Sequence, residues 1–267
     1  MHPMLNIATR AARRAGDIIV RSLEQRQHLR VESKGHNDFV SEVDRRAEAA
    51  IIETLLAAYP QHGFLGEESG QHSGSSPFVW IIDPLDGTTN FLHGHPQFAV
   101  SIALKNMELD RLEQAVIYQP LSQDLYTASR GQGAQLNNRR IRVSNVTQLS
   151  GALLGTGFPF RDDTYLETYL ATFRSLLPTC SGVRRCGSAA LDLAFVAAGF
   201  LDGFWEFDLK SWDIAAGCLL IQEAGGMVTD LHGQGDYLRT GHVLAGNLKV
   251  HKHMFEILQN CLPSSVK

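Results

Sequence analysis

The segment that most restricts what this chain can become is Trp80-Ile81-Ile82-Asp83-Pro84-Leu85-Asp86-Gly87-Thr88-Thr89-Asn90-Phe91. An apolar run of strand type carries two carboxylates to its end. Pro84 fixes φ between them, and Gly87 permits a tight turn. Thr88, Thr89 and Asn90 then read as the opening of a helix, whose first N–H groups have no acceptor within the helix. Two acids held this close repel one another unless a cation sits between them. Hard oxygen donors suit Mg²⁺, which is held by a few carboxylates and completed by water or phosphate oxygens. The N–H groups and the helix dipole beyond them suit an anion such as phosphate. A plain Asx-turn with an N-cap Asp accounts for the same residues with no ligand at all, so the rest of the chain has to decide.

With 267 residues, 44% of them hydrophobic, the chain can bury a sizeable core. Its 28 acidic and 24 basic residues leave a net charge of −4, which offers no general attraction to nucleic acid or to an anionic membrane. A phosphorylated ligand would need local positive charge, from a metal or a helix N-terminus. Cys180, Cys186, Cys218 and Cys261 have no CxxC pair or regular spacing, so they fit neither a zinc site nor a disulfide framework, and reduced thiols in the cytoplasm are expected. Arg10, Arg13 and Arg14 lie inside a helical pattern with no secretory h-region, and no stretch approaches the roughly 20 apolar residues of a membrane span.

The opening segment repeats Leu5, Ala8, Ala12, Ala15, Ile19 and Leu23 at helical spacing, and a second helical pattern runs from Val43 to Ala58 and stops before Pro60. A turn-rich stretch, Lys34 to Asp38, separates them. Short apolar runs predict strands over Phe78–Ile82, Phe98–Leu104, Gln114–Tyr118 and Leu125–Ala128. Further along, strands are expected at Ala152–Thr156 and Gly203–Phe207. Helices are expected near Tyr165–Leu177, Ser188–Ala198 and Trp212–Glu223. Gln71 to Pro77 reads as a surface loop. The class is mixed α/β, with helices covering sheets, and the order of elements leaves the strand topology open.

Three weaker pieces join the first. Glu67 and Glu68 follow Phe64-Leu65, Asp213 stands at a helix start after Lys210-Ser211-Trp212, and Asn37-Asp38 is followed by Val43-Asp44 at the start of the second helix. Each has an ordinary explanation: adjacent acids are normally solvated, and acids favour helix N-termini without any metal.

Taken together, these segments resemble the inositol monophosphatase family, and within it the bacterial SuhB-type branch. The resemblance rests on DPLDGTTNF at Asp83 to Phe91 and WDIAAGCLLIQEAGG from Trp212 to Gly226. KGHNDFVSEVD from Lys34 to Asp44, GEES around Glu67, FAVSIAL from Phe98 to Leu104 and RRCGSAALDLAFVAAG from Arg184 to Gly199 follow in family order. It covers roughly Leu5 to Val250. It implies one domain over residues 1–267, folded as a layered α-β-α-β-α sandwich, acting as a Mg²⁺-dependent phosphatase of inositol 1-phosphate and similar polyol phosphates. By the same resemblance, Glu67, Asp83 and the Leu85 carbonyl hold one metal, and Asp83, Asp86 and Asp213 a second. A third, weaker Mg²⁺ lies near Glu67, with Asp44 reaching it through water. Glu67 and Thr88 hold and deprotonate the attacking water. The N–H groups near Gly87 and Thr88, beside Asp86, receive the phosphate. Gly187, Ser188, Ala189, Glu206 and Asp213 face the polyol, and Lys34 matches a loop lysine near the metals. Relatives form homodimers, and lithium sensitivity is a further family expectation.

Rival readings remain. Asp-Gly-Thr also occurs in haloacid-dehalogenase phosphatases, but there one residue separates the two acids, whereas Pro84 and Leu85 both stand between Asp83 and Asp86. Within the superfamily, fructose 1,6-bisphosphate, histidinol phosphate and 3′-phosphoadenosine 5′-phosphate share the same site chemistry. SuhB-type relatives can also act with the transcription machinery. A transcription-factor or RNA polymerase contact through Arg184-Arg185 or through Arg139, Arg140 and Arg142 is therefore a second reading, against which scattered arginines usually form solvated faces or dimer contacts. His93 and His95, just past the motif, read as surface residues.

Overall fold

The computed structural model describes residues 2–23, 31–35, 38–159 and 164–263, with the backbone alone between 31 and 41. Helix α1 (Pro3–Leu23) is followed by a hairpin of β1 (Val31–Gly35) and β2 (Asp38–Ser41), then by α2 (Glu42–Ala58). Next come β3 (Gly63–Gly66), β4 (Gly70–His72), β5 (Phe78–Asp86), α3 (Thr88–His93), β6 (Ala99–Asn106), β7 (Arg111–Gln119), β8 (Asp124–Ser129), β9 (Gly133–Leu136) and β10 (Arg139–Arg140). The remainder alternates β11 (Leu153–Thr156), α4 (Leu166–Leu176), β12 (Gly182–Arg184), α5 (Ala189–Ala197), β13 (Gly203–Glu206) and α6 (Ser211–Glu223). It ends with β14 (Met227–Thr229), α7 (Tyr237–Thr240), β15 (Val243–Gly246) and α8 (Leu248–Cys261).

Two sheets carry the fold. One has eight strands in the order β10-β9-β8-β7-β6-β5-β3-β4, antiparallel except where β3 runs parallel to β5. The other has five, β12-β11-β13-β15-β14, with β11 parallel to both its neighbours. Strand side chains alternate between faces, and here each face meets a different helical layer. Trp80, Ile82, Val100, Ile102, Leu104 and Val116 pack under α1 and α2, while Ile81, Ala99, Ala103, Ala115 and Ile117 face α5 and α6. The opposite faces of α5 and α6 meet Phe204, Val243 and Ala245 of the five-stranded sheet, whose other side (Leu154, Trp205, Leu244) is covered by α4 and α8. The layers therefore run α-β-α-β-α. Burial on both faces explains why these strands read as continuous apolar runs.

The alanines facing α6 matter, because small side chains on the sheet let the helix lie close. On its other side α6 presses α5: a Cβ added at Gly217 would stand 2.4 Å from the Cβ of Leu193. Both ends of α6 are tied down. Asp213 Oδ2 accepts the Lys210 N–H at 2.7 Å, and Glu223 accepts the N–H groups of Gly131 and Gly133 at 2.8 and 2.7 Å from the turn between β8 and β9.

The expected helices lie within a residue or two of those observed, and all four cysteines are free thiols. The strands differ more. Gln71 and His72, expected in a loop, belong to the short edge strand β4, which pairs only with β3 and has no apolar face to reveal it. The strand expected to end at Ile82 runs on to Asp86 through Pro84. That is tolerated because the register with β6 shifts there and β3 stops pairing at Ile82, so the missing N–H breaks no ladder. Lys34 lies in β1, and His36 and Asn37 of the turn-rich stretch lie outside the described residues. Among the described residues no helix is long and apolar enough to cross a membrane.

Two outcomes follow for stability. Gly217→Val should cost about 1–3 kcal/mol in denaturant unfolding, the usual penalty for overpacking a helix contact. His251 of α8 is 4% exposed. Its Nε2 lies 3.0 Å from Thr229 Oγ1, whose own hydrogen goes to the Asp230 carbonyl at 2.8 Å, so the imidazole donates. Burial pushes its pKa down to about 4. The unfolded chain takes up this proton first, so stability is complete above about pH 6.5 and is lost as the pH falls toward 4. Between about pH 7 and 4.5 the protein should lose roughly 2 kcal/mol more than a His251→Gln variant, and equal pH slopes would contradict this assignment.

Candidate active site

In an uninterrupted strand, residues three apart point to opposite faces. Asp83 and Asp86 escape this because β5 bulges between them: Asp83 pairs with Ser101 and Asp86 with Ala99, so three steps on β5 oppose two on β6. The bulge turns both carboxylates toward the first turn of α6. One carboxylate oxygen from each of Asp83, Asp86 and Asp213 then lies within 4.8 Å of the others.

Each acid is braced. Asp83 is 1% exposed, and its Oδ1 accepts the Leu85 N–H at 2.9 Å. Its pKa is raised by burial first and then by the charges of Glu67, Asp86 and Asp213, with the Leu85 hydrogen bond opposing them. Asp86 Oδ2 accepts both the Ser188 hydroxyl at 2.6 Å and the Ala190 N–H at 2.7 Å, which ties β5 to the start of α5. Glu67 continues β3, its N–H donating to the Ile82 carbonyl at 3.1 Å. The turn that presents Glu67 is pinned by the buried Glu48 of α2, which accepts the Glu68 and Ser69 N–H groups at 3.0 and 2.8 Å. Carboxylates gathered this way, with like charge raising Asp83, fit a divalent cation bound through oxygen.

Beyond the bulge, Gly87 adopts φ 91°, and a side chain there would drive a Cβ to 2.7 Å from the Gln97 carbonyl. This left-handed residue opens α3, leaving the first N–H groups of the helix without an intrahelical acceptor. The Thr88 hydroxyl lies 2.9 Å from Asp44 Oδ1 and 3.1 Å from the Leu85 carbonyl, to either of which it can donate. The Asn90 carboxamide donates to the carbonyls of Gln97, Cys186 and Gly187 at 2.6, 2.9 and 3.2 Å, holding the 186–189 segment over α3.

These groups line one end of a cleft of about 370 Å³, a size that suits a small ligand. The other end is bounded by Glu206, Asp192 and Arg185, with Phe158, Tyr165 and Phe207 at the rim. Arg185 lies over the Phe158 ring, 4.4 Å from its centroid. Glu206 fits only because residue 157 is glycine, since a Cβ there would fall 1.9 Å from Oε1. Burial is the main force holding Glu206 above the usual carboxylate range; Asp192 adds to it and Arg185 opposes it. Asp192 is pushed up to about 8, by burial foremost and then by Asp86, against the Cys186 thiol and Arg185.

The cleft brings together Glu67, Asp83, Leu85, Asp86, Gly87, Thr88, Gly187, Ser188, Ala189, Glu206 and Asp213, all singled out from the sequence. Asp44 sits behind Thr88 and does not line the cleft. The Lys34 side chain lies outside the described part. His93 and His95 are exposed and away from the cleft, as are Arg139 and Arg140 on the edge strand β10. Sequence reasoning missed Glu48, which looks like any polar position of an amphipathic helix. It also missed Asp192, although a lone carboxylate inside the otherwise apolar run Ala189–Ala197 was a visible signal.

The chain matches the inositol monophosphatase family over residues 1–262. It is 54% identical to the Nus factor SuhB of Pseudomonas aeruginosa and 50% identical to the Nus factor SuhB of Escherichia coli K12, in both cases over the full length of both chains. Among solved structures it superposes on the extragenic suppressor protein suhB of Bartonella henselae with a TM-score of 0.94 at 45% identity, covering 98% of this chain and 100% of that one. The inositol monophosphatase of Anabaena superposes with a TM-score of 0.85 at 38% identity, covering 98% of each chain. With its bulged acid pair, its carboxylate cluster and its full-length relatives in agreement, the chain belongs to the inositol monophosphatase family.

Proposed function

We propose that this protein is a Mg²⁺-dependent phosphomonoesterase acting on inositol 1-phosphate and similar polyol phosphates. The observation that carries the reading is the convergence of Asp83, Asp86 and Asp213 within 4.8 Å, beside a helix start that suits phosphate. In this reading Glu67, Asp83 and the Leu85 carbonyl hold one Mg²⁺, Asp83, Asp86 and Asp213 hold a second, and Asp44 stands near a third. Bound Mg²⁺ supplies Lewis acidity, neutralising charge on phosphoryl oxygens and lowering the pKa of water. The chain's own groups do the rest. Thr88, braced by Asp44, positions the attacking water and Glu67 accepts its proton. The N–H groups at Gly87 and Thr88 hold the phosphoryl oxygens. Gly187, Ser188, Ala189 and Glu206 hold the hydroxyls of the leaving group. Water attacks phosphorus in line, the ester P–O bond breaks, and the alkoxide leaves as an alcohol after protonation. No side chain need form a covalent bond to phosphorus. We take residues 1–267 to work as one unit, as a cytoplasmic homodimer.

A second reading has its own support, since relatives 54% and 50% identical over their whole length are called Nus factors. A contact with the transcription machinery through the exposed Arg139, Arg140, Arg142, Arg184 and Arg185 would operate alongside catalysis.

Phosphate release should be measured on inositol 1-phosphate, glycerol 2-phosphate, fructose 1,6-bisphosphate, histidinol phosphate and 3′-phosphoadenosine 5′-phosphate, with and without Mg²⁺. Inositol 1-phosphate should be turned over only with Mg²⁺, and Asp86→Asn should lower the rate by on the order of 100-fold or more. No release by well-folded protein would leave the transcription reading, which binding of partner by Asp86→Asn would support. Mg²⁺ in large excess should also stabilise the protein against heat by about 2–3 kcal/mol. That gain should shrink in Asp213→Asn, and an equal shift in both proteins would place the ion elsewhere.

A further inference from the structure

At the polyol end of the cleft, Asp192 combines three properties that the rest of the site leaves unexplained. It is 1% exposed, it lines the cleft, and its Oδ1 has no hydrogen-bond partner among the described residues. An unmet buried acceptor costs about 1–3 kcal/mol, and the Cys186 thiol and Arg185, which favour the carboxylate, leave Oδ1 itself without a hydrogen bond.

We propose that Asp192 is a specificity-determining residue whose carboxyl accepts a hydrogen bond from a hydroxyl of the substrate's leaving group, a reading that rests on the phosphatase function above. Placement supports it. Asp192 lies on the first turns of α5, and the start of that helix, through the Ser188 hydroxyl and the Ala190 N–H, grips Asp86 Oδ2. One rigid helix end therefore sets the distance between the acid cluster and the hydroxyl acceptor. The chemistry of the neighbours selects the ligand class. Glu206 is a second acceptor on the same side, space is left by Gly157, and the rings of Tyr165 and Phe207 stack at the rim with centroids 5.8 Å apart. Paired carboxyl groups at this end, with aromatic rings at the rim, suit a ring that carries several hydroxyls.

The test compares kcat/KM for inositol 1-phosphate with that for phenyl phosphate, which offers no hydroxyl. In Asp192→Ala the ratio of the two should fall about tenfold, the effect of one lost hydrogen bond. Asp192→Asn is nearly isosteric and keeps an acceptor oxygen, so it should hold the ratio within about threefold. An unchanged ratio in the alanine variant overturns the proposal. So does a tenfold fall in the asparagine variant, whether or not the alanine variant folds. Wild-type protein that hydrolyses phenyl phosphate but not inositol 1-phosphate refutes the role of Asp192 while the phosphatase reading stands. Hydrolysis of neither refutes both.

Discussion

Mutual repulsion among carboxylates is the constraint around which the molecule is arranged. Left to themselves, Asp83, Asp86, Glu67 and Asp213 would move apart into water, and Asp83 would not be buried. Holding them together needs rigid supports that do not share a single hinge. The bulge of β5 aims two of them, β3 and the buried Glu48 aim the third, and the first turn of α6 aims the fourth. Charge strain acts on Asp83, the most enclosed of the set, where burial and its three acidic neighbours act in the same direction. Such stored unfavourable energy is characteristic of sites that wait for a ligand.

The layered fold follows from the need to bring those supports to one place. The eight-stranded sheet delivers Asp83 and Asp86, the helical layer between the sheets delivers Ser188 and Asp213, and the five-stranded sheet delivers Glu206. The cleft opens where all three layers end. Close packing between layers is what makes the positions reliable, and it is achieved with small residues: alanines on the sheet face and Gly217 against Leu193.

Much of this was legible in the sequence, for reasons that differ from residue to residue. Helices α1, α2, α4, α5 and α6 and the long central strands announce themselves because each buries a continuous face, whereas α8 went unread. The acid pair is visible because Pro84 and Gly87 are unusual inside an apolar run. Short edge strands such as β4 were hidden, since three residues with no buried side chain carry no pattern. Long-range pairing was hidden as well. Nothing local in the chain says that Ser188 reaches Asp86, or that Asn90 collects carbonyls from residues nearly a hundred positions away. Glu48 escaped notice because its role is to accept two backbone N–H groups from another element, which leaves no mark on its own neighbourhood.

The two tethers of α6 connect distant parts of the protein. Asp213 at one end belongs to the acid cluster, and Glu223 at the other holds the glycine turn at 131–133 on the surface. Ten residues of helix separate Asp213 from Glu223, a distance of about 15 Å. One continuous helix thus joins a surface turn far from the cleft to the centre of the charge cluster.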